Sequence, residues 1–173
     1  MEHILTDCEQ GPQKLLWKLT RNLWPHSEHP WNHPSIGAIL GCGSIKNLKP
    51  TTITQNSQRD QPNKSPKKRD GKARLLSILL GETAYLIWVI RCEIVIQGKE
   101  FTNKDLTTRW YNMINNRIQT DRLLAKNRNY RKLNADIVQS TWRKTLKNEQ
   151  SLQPDWVTDP EVLVGINSPE PSS

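Results

Sequence analysis

The chain has 173 residues, of which 35% are hydrophobic and 11 are proline, so it can form one packed core but not two large domains. Lys and Arg outnumber Asp and Glu by 25 to 17, a formal net charge of +8, which points to a polyanionic partner, most simply nucleic acid. Its three cysteines, Cys8, Cys42 and Cys92, are odd in number and widely spaced, and read as reduced intracellular thiols, not as a disulfide framework.

In chain order, the opening "MEHILTDCEQ" sets His3 and Cys8 in an H-x4-C arrangement. Such a pair is half of a compact zinc site, because tetrahedral zinc needs four N or S donors. The start is acidic and lacks a long apolar run, so no signal peptide is expected. "GPQKLLWKLTRNLWP" predicts a first helix: Pro12 suits the first turn, Leu15, Leu16, Leu19 and Leu23 share a face, and Pro25 ends it. In "WPHSEHPWNHP" three imidazoles, His26, His29 and His33, stand close together. The intervening prolines scatter them, so Trp24 and Trp31 are expected to anchor this loop onto the helices. "PSIGAILGCG" predicts a short helix capped by Ser35 and ended by glycines.

Residues 44–71 are polar, basic and rich in Pro, Asn, Gln, Ser and Thr. They bury too little apolar surface to offset their ordering entropy and are expected to form a disordered basic linker. Within it, Lys67-Lys68-Arg69 is a candidate nuclear localisation signal or phosphate contact. Residues 72–97 predict the main helix, apolar on most sides and hence central in a bundle, with Gly98 ending it. Its "LLSILLGETAYLIWVIRCEIVI" is long enough to span a membrane. Glu82, Arg91 and Glu93 interrupt it, each costing about 2.5–3.5 kcal/mol or somewhat less near a bilayer centre, so a buried helix and no membrane are expected.

Thr102, with Asp105 three residues on, predicts an approximate capping box for a helix carrying Leu106, Trp110, Met113, Ile114, Arg117, Ile118 and Leu124 at helical spacing. A last helix is predicted over residues 135–149, with Val138, Trp142 and Leu146 on one face. Beyond it an extended tail is expected to dock back through Trp156, Val162 and Leu163. The expectation is an all-α fold, a small irregular helical bundle with a disordered basic insertion and an extended tail. It divides into residues 1–43, a linker 44–71, a helical bundle 72–149 and an acidic tail 150–173.

Support for catalysis is thin. "GCGSIK" lacks the G-x-x-x-x-G-K-[ST] spacing that cradles phosphate, the cysteines have no histidine partner that the sequence would place beside them, and the carboxylates form no magnesium cluster. Five tryptophans, Trp17, Trp88, Trp110, Trp142 and Trp156, fall in apolar patterns and read as core before they read as stacking platforms for bases. Charge is more informative. Residues 43–74 hold nine basic and two acidic residues, and residues 101–149 hold eleven and four. The last 24 residues carry four acids and no base.

"MEHILTDCEQGPQKLLWKLTRNLW" resembles the zinc-binding region downstream of reverse transcriptase in polyproteins of fungal non-LTR, LINE-type retrotransposons. That family reads C-x-x-C, a spacer, then (E/D)-H-(I/L)-L-x-x-C and a Trp-bearing helix. "EHILTDC" matches the second half, with His3 and Cys8 in ligand positions and Trp17 in the helix. Ile87, Trp88 and Arg91 are similar to the family's downstream Ile-Trp and basic residue, and "WPHSEHPW", "AILGCG" and "PEVLVG" resemble such tails too. The resemblance implies that the first two zinc ligands would lie upstream of Met1, as would the polymerase. This chain is then expected to be a truncated remnant with half a zinc site and no cofactor, zinc being held only if the missing ligands are supplied.

The expected function is therefore non-enzymatic: weak, salt-dependent binding of RNA or DNA by an intracellular, candidate nuclear, protein. The expected contacts are Lys64, Lys67, Lys68, Arg69, Arg109, Arg122, Lys126, Arg128, Arg131 and Lys132. The alternatives are a helical module that holds a protein partner, and a zinc-binding protein.

Overall fold

The computed structural model describes residues 5–6, 11–48, 70–127 and 132–167. Among them are five α-helices and no strand: α1 (Gln13–Leu23), α2 (Ile36–Leu40), α3 (Gly71–Gln97), α4 (Asn103–Lys126) and α5 (Ala135–Trp142), with 3-10 turns at Cys42–Ser44 and Glu149–Ser151. The all-α class is the one the helical spacing predicts. Most of the expected linker, residues 49–69, lies outside the described residues.

α1 starts after Pro12 and turns Leu16, Trp17, Leu19 and Leu23 inward, while Leu15 is only partly buried. It packs on α3 and α4. Thr20 lies on the same inward face, and its hydroxyl is 2.8 Å from that of Thr83 on α3. Trp110 of α4 reaches both oxygens with its indole N–H, at 3.1 and 3.2 Å. Three polar groups at a helix junction thus satisfy one another, as buried polar groups must.

Trp24 and Trp31 do anchor the loop between α1 and α2. Both pack against the core, their rings 6.1 Å apart, and Trp24 donates to the His29 carbonyl at 2.7 Å. In α2, Ser35 accepts from the Ala38 amide at 3.2 Å and Ile39 is buried.

α3 touches every other helix. Asp70 caps it, accepting from the Lys72 amide at 3.3 Å. Leu75, Leu79, Leu86, Ile87 and Ile90 fill the core, each burial stabilising the fold by about 1.5–3 kcal/mol. Gly98 ends it with φ of 64°, the left-handed conformation that costs glycine nothing. The capping box expected at Thr102 forms: Thr102 accepts from the Asp105 amide at 3.1 Å, and the Asp105 carboxylate accepts from the Thr102 amide at 2.9 Å. α4 then runs antiparallel to α3, since Glu93 meets Arg109, Glu82 meets Arg117 and Asp121 meets Arg74.

Two expectations for the C-terminal part need correction. The last helix ends at Trp142, not near residue 149. Lys144 and Asn148 adopt positive φ, and Leu146 forms an antiparallel bridge with Ile166. Lys147 donates its amide to the Gly165 carbonyl at 2.9 Å, and Asn167 donates to that of Thr145 at 3.2 Å. The chain trades helical hydrogen bonds for pairing with the tail, and Leu146 is buried by that route. The tail does dock, and Trp156 is buried as expected, with Val162 partly so. Leu163, however, is 94% exposed, and Val157 and Ile166 supply the buried contacts in its place.

Candidate nucleic-acid interface

Because the inward face of α1 is apolar, its outward face is left to polar side chains. Lys14, Lys18 and Arg21 occupy it, all exposed. At 3.6 residues per turn they fall within about 60° of arc and span about 10 Å along the axis. The helix contains no acidic residue. None of the three has an ion-pair partner among the described residues. Arg21 also sits in the last turn, where the helix dipole favours a cation. This stripe was absent from the predicted contacts because α1 lies outside both basic blocks. The signal available was local: three cations at i, i+4 and i+7 opposite a leucine face.

The carboxylates of the two long helices are all engaged within the fold. Arg109 donates to both oxygens of Glu93, at 2.7 and 3.0 Å. Arg117 donates to Glu82 at 3.0 Å. Asp105 is held by the cap of α4. Asp121, fully buried, receives both Arg74 guanidinium nitrogens at 2.7 Å and the Trp142 indole N–H at 2.9 Å. The bond to Arg109 is the main reason the Glu93 carboxyl sits below the usual carboxylate range, and Thr102 lowers Asp105 in the same sense.

The predicted contacts divide into three groups. Lys64, Lys67, Lys68, Arg69, Arg128 and Arg131 lie outside the described residues, as do the paired His3 and Cys8. Arg109 is bound to Glu93 and lies over the Phe101 ring, 5.1 Å from its centroid. Arg122 is buried: it donates to the Gln119 side chain at 2.9 Å and to the Asp159 carbonyl, and burial pushes its guanidinium down from the ordinary value. Lys126 and Lys132 are exposed. Of the four described, two are engaged inside the fold and two face solvent.

The three imidazoles of the histidine loop differ in exposure, and His29 is half-buried. His26 is buried edge-on to Trp24, with ring centroids 4.8 Å apart, while His33 is exposed. Among the described residues, no three His, Cys, Asp or Glu side chains gather around a common point. A groove of about 740 Å³ opens between this loop, the start of α3 and the turn after α5. Its rim carries Lys72, Arg143 and Lys144 beside Glu28, Asp136 and Glu149. The mixed signs make it no funnel for an anion.

No protein-family model matches the chain, and no curated protein or solved structure matches it either.

Proposed function

We propose that this chain is a non-enzymatic helical module that binds RNA or DNA weakly through phosphate contacts, the role implied by its resemblance to LINE-type polyprotein tails. The observation that supports the reading is the outward face of α1, where Lys14, Lys18 and Arg21 stand exposed without carboxylate partners among the described residues. Because α3 and α4 consume their own carboxylates internally, those helices contribute no exposed, unpaired acid to offset the stripe. Lys126 and Lys132 extend the contact set, together with Lys64, Lys67, Lys68, Arg69, Arg128 and Arg131. Arg109 and Arg122 serve the fold.

Phosphate neutralisation releases counterions, so affinity for duplex DNA falls with a log–log salt slope of about −0.9 per contact. Fluorescence anisotropy on labelled single-stranded RNA and duplex DNA, between about 50 and 200 mM salt, reads that slope. Replacing Lys14, Lys18 and Arg21 together by Ala removes about three contacts and flattens the slope by about 2–3, with helicity unchanged by circular dichroism. Affinity that ignores salt, or a triple variant that binds like the parent, would defeat the assignment. The ancestry has its own test. In-frame codons for C-x-x-C just before Met1, with polymerase sequence beyond them, would support it, and unrelated sequence there would remove it.

A further inference from the structure

α3 is apolar on the side away from the core as well as on the core side. Its 27 residues make a rod about 40 Å long. The face toward Leu79, Thr83, Leu86 and Ile90 is buried. On the opposite face Tyr85, Trp88, Val89, Cys92, Val95 and Ile96 fall within an arc of about 120°. Tyr85 is 66% exposed, Trp88 43%, Val95 64% and Ile96 78%. Near Gly81, at the N-terminal end of this face, the Cys42 thiol packs close, 3.7 Å from where a Cβ would stand. Beyond that point Val89 and Cys92 are half-buried, and the remaining side chains of the stripe face solvent. Its bare surface is on the order of 500 Å², the size at which an apolar patch marks an interaction site.

We infer that this stripe is a self-association surface, on which α3 of a second copy of the chain packs. Tyr85, Trp88, Cys92 and Val95 follow one another at intervals of three, four and three, the spacing of a two-helix seam. A helix face of this kind presents a ridge of side chains, and such ridges are covered by another helix of matching spacing. A second α3 supplies one. Two such stripes bury about 1,000 Å² and their flanks add to it, which brings the total to the low end of specific interfaces at about 1,200 Å². Between Tyr85 and Ile96 the only charges are Arg91 and Glu93, and Glu93 is held by Arg109. The area is that of a weak dimer, formed in the micromolar range. Two chains of net charge +8 repel one another, so salt strengthens the dimer, opposite to its effect on phosphate binding.

Sedimentation velocity on the full chain across the micromolar range, at low and high salt, tests the inference. The expected result is a monomer–dimer equilibrium that tightens with salt. Val95→Glu and Tyr85→Glu, both at exposed positions, each raise the dissociation constant by about tenfold or more, with helicity retained. A second measurement uses Cys92 as the sole thiol, in a Cys8→Ser, Cys42→Ser background. Its place in the stripe keeps paired thiols within about one helical turn in either helix direction. A short bis-maleimide therefore crosslinks the parent and not Val95→Glu. A monomer at every concentration, a dimer indifferent to both glutamates, or a monomer that sediments with anionic vesicles in place of pairing would overturn the inference.

Discussion

Asp121 is the residue on which the junction of α3, α4 and α5 depends. It is fully buried and receives Arg74 through both guanidinium nitrogens and Trp142 through its indole. Removing one partner of a buried pair leaves the other charge uncompensated. Asp121→Ala is expected to destabilise the fold by about 3–5 kcal/mol, read from urea denaturation, while replacing Asp121 and Arg74 together by apolar residues costs less. Neither residue stood out in the sequence, because a polar side chain at a core position breaks the apolar periodicity instead of adding to it. The clue was positional: Asp121 lies three residues after Ile118 and seven after Ile114, on the inward face of α4. His26 makes a second prediction at this scale. Burial lowers its imidazole below the ordinary 6.5, Lys72 and Lys144 acting in the same sense and Glu28 against them. The Lys72 ammonium holds the Glu28 carboxyl at about 2, so that group stays ionised throughout the window that matters. The unfolded chain then binds the His26 proton more readily than the folded one, and stability falls as pH drops below 6.5. Thermal unfolding followed on either side of that pH should show the loss, and His26→Asn should lessen it.

Helices were legible where their punctuation is local. Pro12 and Pro25 bracket α1, Ser35 caps α2, Gly98 ends α3, and Thr102 with Asp105 begins α4. Each of these signals acts within four residues, so no tertiary knowledge was needed to read it. Two glycines show how element and packing differ. Gly98→Ala forces a side chain into positive φ and is expected to cost about 1–2 kcal/mol. Gly71→Ala should cost more, because its Cβ would stand 2.5 Å from the Ser140 carbonyl oxygen on α5, a backbone atom that cannot swing aside. Comparing the two variants by thermal melting separates backbone strain from helix–helix clash, and equal losses would contradict the close approach. α5 illustrates the opposite case. Leu146 continues the helical spacing of Val138 and Trp142, yet the helix stops at Trp142, because hydrogen bonds to residues 165–167 compete with the next turn.

For the whole molecule, the acidic tail contributes to the core through its described residues, 150–167. Trp156, Val157 and Ile166 are buried against the bundle, Tyr111 donates to the Ile166 carbonyl at 3.2 Å, and Gln119 donates to that of Val164 at 3.0 Å. Ile166→Ala is therefore expected to cost about 2–5 kcal/mol in urea titration, whereas Leu163→Ala, at an exposed position, should be close to neutral. The tail also removes Arg122 from the surface, since the guanidinium donates to Asp159. Its burial there could not be read from a list of basic residues.

By itself the sequence determined the helical class, the position of α3 at the centre and the boundaries set by caps, prolines and glycines, because these follow from periodicity and short-range hydrogen bonding. It also determined the excess of positive charge. Tertiary structure decided which cations remain free. Side chains far apart in the chain compete for the same partners, so Arg74, Arg109 and Arg117 are taken by carboxylates and Arg122 by the tail, and Lys14, Lys18 and Arg21 are left facing water. It decided, too, that Tyr85, Val95, Ile96 and Trp88, the last read as core from its apolar pattern, stay exposed while Leu79, Leu86 and Ile90 are buried, because a periodic apolar pattern says which residues can be buried and only packing says which are.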